Sequence, residues 1–101
     1  MNLRDHAFDL VRQIPKGKVT SYGDIADALP GRIPARTVGQ WMASCPEGVP
    51  WWRVVGRDGG LPIARRGPGL AEEQRRRLAR ERVHWTEDDR VDMARCRWLP
   101  P

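Results

Sequence analysis

The sequence predicts a small α+β domain, mostly helical, with a winged-helix-like helix-turn-helix core and a short β hairpin or wing. Three features carry that expectation. Apolar residues recur at spacings of three and four through successive segments of the first half, as in helices with one buried face. Residues that start or stop helices sit at the ends of those segments. A β-branched run followed by Asp58-Gly59-Gly60 then marks a turn between extended pieces. A chain of 101 residues suits one domain over 1–101, with a core over about 3–83 and a tail over 84–101.

Each element follows in order. Asn2 caps a first helix whose stripe is Leu3, Ala7, Leu10, Val11 and Ile14, and Pro15-Lys16-Gly17 ends it. Lys18-Val19-Thr20 is an extended link. Ser21 and Asp24 have the spacing of a capping box, in which each side chain serves the other's backbone N–H. Tyr22, Ile25, Ala26 and Leu29 give the second helix its apolar side, and Leu29-Pro30-Gly31 stops it. Pro34 fits the first turn of a third helix. There Val38, Trp41, Met42 and Cys45 point inward, Arg36, Thr37, Gln40 and Ser44 point away, and Pro46 closes the helix. Gly39 inside that helix costs about 1 kcal/mol against alanine, which predicts a close approach by another backbone. Two short helices joined by a tight turn, the second with an outward polar face, read as a helix-turn-helix.

Further along, Trp52-Arg53-Val54-Val55 is strand-like, and Leu61-Pro62-Ile63 after the turn supplies the second arm of a hairpin. Arg65 to Gly69 is a loop. Leu70 to Arg82 is a charged helix with a thin stripe at Ala71, Leu78 and Ala79. Val83-His84-Trp85 is a final strand, and Trp98 docks the tail.

The net charge is +5, and of eighteen basic residues only Lys16 and Lys18 are lysines. Guanidinium groups suit phosphate contacts and stacking on bases, although a GC-rich genome produces the same excess. Five tryptophans stand against one tyrosine and one phenylalanine. Tryptophan therefore supplies most of the large apolar volume, and some of it is expected at the surface, stacking on a base or shaping a pocket. Cys45 and Cys96 lie far from each other and from any histidine cluster, so two thiols and no metal are expected. The N-terminus lacks the apolar stretch of a signal peptide, and no run approaches the roughly 20 apolar residues of a membrane span; a cytoplasmic protein is expected. His6 and His84 have no nucleophile at motif spacing. Asp88-Asp89 and Glu72-Glu73 read as solvated faces or a helix start, and the glycine pairs form no phosphate-binding loop.

Three linked motifs remain. They are Ile14-Pro15-x-Gly17-Lys18-Val19-x-Ser21-Tyr22-Gly23-x-Ile25-Ala26, then Ala35-Arg36-x-Val38-Gly39, then Pro50-x-x-Arg53-Val54-Val55. In order and spacing they resemble the DNA-binding domain of the O6-alkylguanine-DNA alkyltransferases, over roughly residues 5–83. The usual site of that family is Pro-Cys-His-Arg-Val, with the cysteine as alkyl acceptor. Here Trp51 occupies the cysteine position, which resembles the alkyltransferase-like proteins with their Pro-Trp-His-Arg-Val. The patterns Glu73-Gln74-Arg75 to Leu78 and Arg90-Val91-Asp92-Met93 to Trp98 are similar to that subfamily too.

The resemblance implies a third helix lying in the minor groove and a damaged guanine rotated out of the duplex. Arg36 matches the finger that fills the vacated stack, and Tyr22 matches the residue that pushes the 3′ phosphate. Ser21, Thr37 and Gln40 accompany them on the DNA side. Trp51, Trp52, Arg53, Val54 and Arg65 are expected at the lesion pocket, Arg53 chiefly tying the site loop. The subfamily carries an arginine beyond the hairpin that meets the flipped base by a cation–π contact. Arg65 is favoured over Arg66 for it, although the spacing is one residue longer than usual. Flipping costs a few kcal/mol, least for a poorly paired base, and minor-groove insertion bends DNA.

Two positions depart from the pattern. Trp52 replaces the histidine that relays a proton to the thiol, which fits a protein with no thiol to activate. Cys45 replaces the usual asparagine before Pro46, near the pocket. The expected function is binding of O6-alkylguanine in double-stranded DNA without alkyl transfer, flagging the lesion for nucleotide excision repair proteins, by a monomer with no cofactor. The alternatives are a single-turnover alkyltransferase using Cys45, a helix-turn-helix regulator of undamaged sequences, and a domain kept for protein contacts alone.

Overall fold

The computed structural model describes residues 2–101. Helix α1 spans Leu3–Arg12 and begins as expected, with the Asn2 side chain accepting from the Asp5 N–H at 2.8 Å. It buries Ala7, Phe8, Leu10 and Val11. It stops before Ile14 because a residue preceding proline is pushed out of the helical region, yet Ile14 is still fully buried from beyond the helix end.

Strand β1, Thr20–Ser21, runs directly into helix α2, Tyr22–Ala28. The capping box at that junction forms in full. The Ser21 hydroxyl accepts from the Asp24 N–H at 3.0 Å, and the Asp24 carboxylate accepts from the Ser21 N–H at 3.3 Å. Helix α3, Ala35–Ala43, packs against α2, and α1 lies against both. Pro34 stands just ahead of α3 as its cap rather than inside the first turn, and the helix ends before Cys45, two residues short of the expected stop.

The sheet differs from the expected hairpin. Strand β2 is only Val54–Val55 and pairs with β1 in parallel, Thr20 opposite Val54 and Ser21 opposite Val55. Trp52 and Arg53, read as strand, lie instead in a 3₁₀ turn over Trp51–Arg53. The Asp58-Gly59-Gly60 turn does form, with the Asp58 carboxylate accepting from the Gly60 N–H at 2.9 Å. The second arm instead coils into a 3₁₀ turn over Pro62–Arg65. Pro62 has no N–H to give a ladder, and its fixed φ suits the start of a helical turn.

Helix α4 spans Leu70–Arg80. Its buried residues are Gln74 and Leu78; Ala79, placed on the stripe by sequence, is exposed. Val83-His84-Trp85 forms no strand, only a bridge from Trp85 to Val91. A short helix α5, Met93–Cys96, follows. Val19 then bridges Arg97, and the Trp98 N–H donates to the Val19 carbonyl at 2.7 Å. Trp98 packs against the core as expected.

Two apolar clusters meet at the sheet. One gathers α1, α2 and α3 and includes Val54; the other gathers Val19, Val55, Leu78, Val83, Val91 and Cys96. Successive strand residues point to opposite faces, so β2 contributes one valine to each. The two cysteine thiols are free, Cys45 against the first cluster and Cys96 inside the second.

Candidate nucleic-acid interface

The outward face of α3 carries Arg36 and Gln40 exposed and Thr37 half-buried. This is the arrangement expected when Val38 and Met42, both buried, turn inward. Ser21 is a correction. Its side chain is buried and its hydroxyl accepts from the cap of α2, so it does not project from the outward face. Tyr22, the next residue, is 7% exposed and forms a wall rather than a projection. Burial pushes its hydroxyl up to about 12, against the easing charge of Arg66, so it stays a neutral donor.

Tyr22, Arg36, Gly39, Arg65 and Arg66 border one cavity of about 330 Å³. The approach to Gly39 is made by side chains, not by the backbone expected from sequence. A Cβ on Gly39 would lie 3.4 Å from the Arg66 guanidinium and 4.0 Å from the Tyr22 ring. Arg66 Nη2 donates to the Arg36 carbonyl at 3.2 Å, which lays the guanidinium across the first turn of α3. Both arginines of the loop therefore reach this cavity, and Arg66 is the one anchored there.

A second cavity of about 430 Å³ lies beside Trp51, bordered also by Trp52, Cys45, Met42, Leu70 and Arg77. Ile63 borders both cavities. Three of the expected pocket residues lie elsewhere. Arg65 borders the first cavity and not the one beside Trp51. Arg53 and Val54 border neither: Val54 is wholly buried in the core, and Arg53 is consumed by an ion pair. A β2 residue facing the α1–α3 cluster has no path to the cavity.

That ion pair fixes the site loop. Arg53 reaches both carboxylate oxygens of Glu81, at 2.9 and 2.6 Å, and donates to the Ile14 carbonyl at 2.9 Å. Trp52 Nε1 donates to the same carboxylate at 3.1 Å. Burial alone would raise the Glu81 carboxyl, but Arg53 and Trp52 outweigh it and hold it below its ordinary range. From the other side Gln74 Nε2 donates to the Trp52 and Val54 carbonyls at 3.1 and 2.8 Å. Trp51 meets Trp52 edge to face, with centroids 6.1 Å apart and planes at 86°, a favoured aromatic geometry. The Trp52 side chain is thus tied to Glu81. Cys45 does reach the second cavity, but burial pushes its thiol up, away from the thiolate that nucleophilic attack requires.

Sequence reasoning noticed Glu73-Gln74-Arg75 without giving Gln74 a task, and it missed Glu81 and Arg77. A glutamine on the apolar stripe of a charged helix was the available signal, since a buried amide needs polar partners.

A helix-turn-helix whose second helix presents an exposed polar face beside two cavities has the form of a DNA-binding domain. Residues 2–83 match the family model described as the DNA-binding domain of 6-O-methylguanine DNA methyltransferase. The chain belongs to this family. It is 39% identical over 93 residues to the DNA base-flipping protein of Escherichia coli, covering 90% of this chain and 70% of that one. It is 42% identical over 79 residues to alkyltransferase-like protein 1 of Schizosaccharomyces pombe, covering 75% and 71%. Among solved structures, S. pombe Atl1 in complex with damaged DNA containing O6-carboxymethylguanine superposes with a TM-score of 0.82 at 33% identity, covering 97% of this chain and 95% of that one. Within its family, the chain is alkyltransferase-like.

Proposed function

We propose that this protein binds O6-alkylguanine in double-stranded DNA, turns the base out of the helix and holds it without taking its alkyl group, so that the marked lesion is passed to nucleotide excision repair. The observation that carries the reading is Trp51. In this reading its indole takes the family's acceptor position, and it borders a cavity large enough to receive a substituent. An indole cannot perform thiolate attack, and Trp52 is committed to Glu81 and cannot relay a proton.

In this reading α3 enters the minor groove, Arg36 takes the place of the extruded base, and Tyr22 presses on the adjacent phosphate as a neutral donor. Arg66, with Arg65 beside it, offers a guanidinium to the face of the base. The guanine sits in the cavity under Tyr22, and its O6 substituent points toward Trp51. Thr37 and Gln40 meet the backbone along the groove. The protein acts as a monomer, and the bent, occupied duplex is what repair proteins recognise.

The test is binding to two duplexes identical except for one O6-methylguanine, at moderate salt because phosphate contacts make affinity salt-dependent. Intact protein mass is read from the same samples. Tighter binding to the lesion with unchanged mass is expected. Equal binding would overturn the reading in favour of a regulator or a general DNA binder. A methyl-sized gain in mass would point to transfer onto Cys45.

A further inference from the structure

We propose that Arg77 makes the cavity beside Trp51 selective for O6 substituents carrying a negative charge, a carboxylate above all, over neutral groups of the same shape. The inference rests on the lesion-binding reading above and names the substrate class of that site.

In the lesion-binding reading the residue at position 51 faces the substituent, and the cavity beside Trp51 is the one that receives it. Met42 and Leu70 line that cavity together with the Trp51 indole, and Arg77 stands on its wall. The guanidinium of Arg77 is held in two ways. Its Nε donates to Glu73 at 2.8 Å, and its Cζ lies over the Trp52 ring, 4.5 Å from the centroid. With Nε occupied, the terminal nitrogens are the available donors, and a pair of such donors matches a carboxylate.

The charge balance points the same way. Glu73 also accepts from Arg76 at 2.7 Å, so a single carboxylate serves two guanidinium groups and one positive charge stays uncompensated. Among the described residues, Glu47, exposed in the turn after Cys45, is the acidic one that borders the cavity. Its charge opposes the preference. Trp52, the residue that departs from the family pattern, supplies the surface on which Arg77 is stacked.

The test measures Kd for three duplexes, with O6-carboxymethylguanine, with its isosteric amide O6-carbamoylmethylguanine, and undamaged. The wild type is expected to prefer the carboxylate over the amide by about tenfold, the worth of one charge-assisted hydrogen bond at a partly exposed site. Arg77→Gln should bring that ratio near one, Arg77→Lys should keep part of it, and Glu47→Gln should raise it. Loss of a mere phosphate contact would weaken all three duplexes alike and leave the ratio unchanged. A wild-type ratio near one, or a ratio unmoved by Arg77→Gln, overturns the proposal. If Arg77→Gln fails to fold, a ratio that does not rise in Glu47→Gln overturns it. A wild type that binds all three duplexes equally overturns the lesion-binding reading itself, and this inference with it.

Discussion

Arg53 and Arg36 show how differently two arginines of one motif set are used. Arg53 is almost wholly buried, its guanidinium shared between Glu81 and the Ile14 carbonyl. Removing one partner of such a pair strands the other, at a cost of about 3 kcal/mol or more, so its place is in holding the Trp51–Trp52 turn. Arg36 stands exposed at the start of α3, and among the described residues no side chain holds its guanidinium. Its substitution is expected to spare the fold. Arg36→Ala should melt within a degree or two of the wild type and lose about tenfold or more in affinity for lesion DNA, roughly 1.4 kcal/mol. Calorimetric melting and fluorescence anisotropy check the two halves; unchanged lesion affinity would remove Arg36 from the flipping role.

Among elements, the turn Asp58–Gly60 has a task that its sequence signature does not announce. It reads as the bend of a hairpin, yet it seats the tail. Gly59 has φ of 83° and its carbonyl accepts from the Val91 N–H at 2.9 Å, while Asp58 pairs with Arg90. A methyl group on Gly59 would overlap the Val91 carbonyl and would force an alanine into left-handed backbone. Gly59→Ala is therefore expected to cost about 2 kcal/mol or more. It should also raise amide exchange in residues 91–98 more than in α2 and α3. Hydrogen exchange followed segment by segment checks this, and uniform loosening would contradict the assignment of the turn to the tail.

Across the whole molecule, two carboxylates join distant parts of the chain. Asp24 binds its own helix cap and takes two bonds from Arg97, at 3.0 and 2.6 Å, while Glu81 ties α4 to the site loop. Burial would raise both carboxyls, but Arg97 and Ser21 at Asp24, and Arg53 and Trp52 at Glu81, hold them below the ordinary range. A carboxyl depressed in the folded state takes up its proton first in the unfolded chain. The stability it contributes is complete above about pH 4–5 and is lost as pH falls through the folded values. Urea midpoints at pH 7, 5 and 3 should therefore drop chiefly below pH 5. Asp24→Asn should be less stable at pH 7 and show a shallower acid loss; an equally steep loss would mean that other carboxylates dominate.

Local chemistry was legible in the sequence wherever neighbours along the chain decide the outcome. The Asn2 cap, the capping box of Ser21 and Asp24, the inward faces of α1 to α3 and the Asp58-Gly59-Gly60 turn all depend on groups a few residues apart, which is the range of backbone hydrogen bonds and helical periodicity. Family membership was legible as well, because three motifs kept their order and spacing. Tertiary contacts alone decided the rest. The two strands pair in parallel across more than thirty residues, Ser21 is closed off by its own cap, and Arg53 turns away from the cavity to Glu81. Arg66 settles over Gly39, and Arg77 is stacked on Trp52 against Trp51's cavity. In each case the deciding partner is remote in sequence, and the direction of a long side chain is fixed only by the charge and surface that packing brings to it.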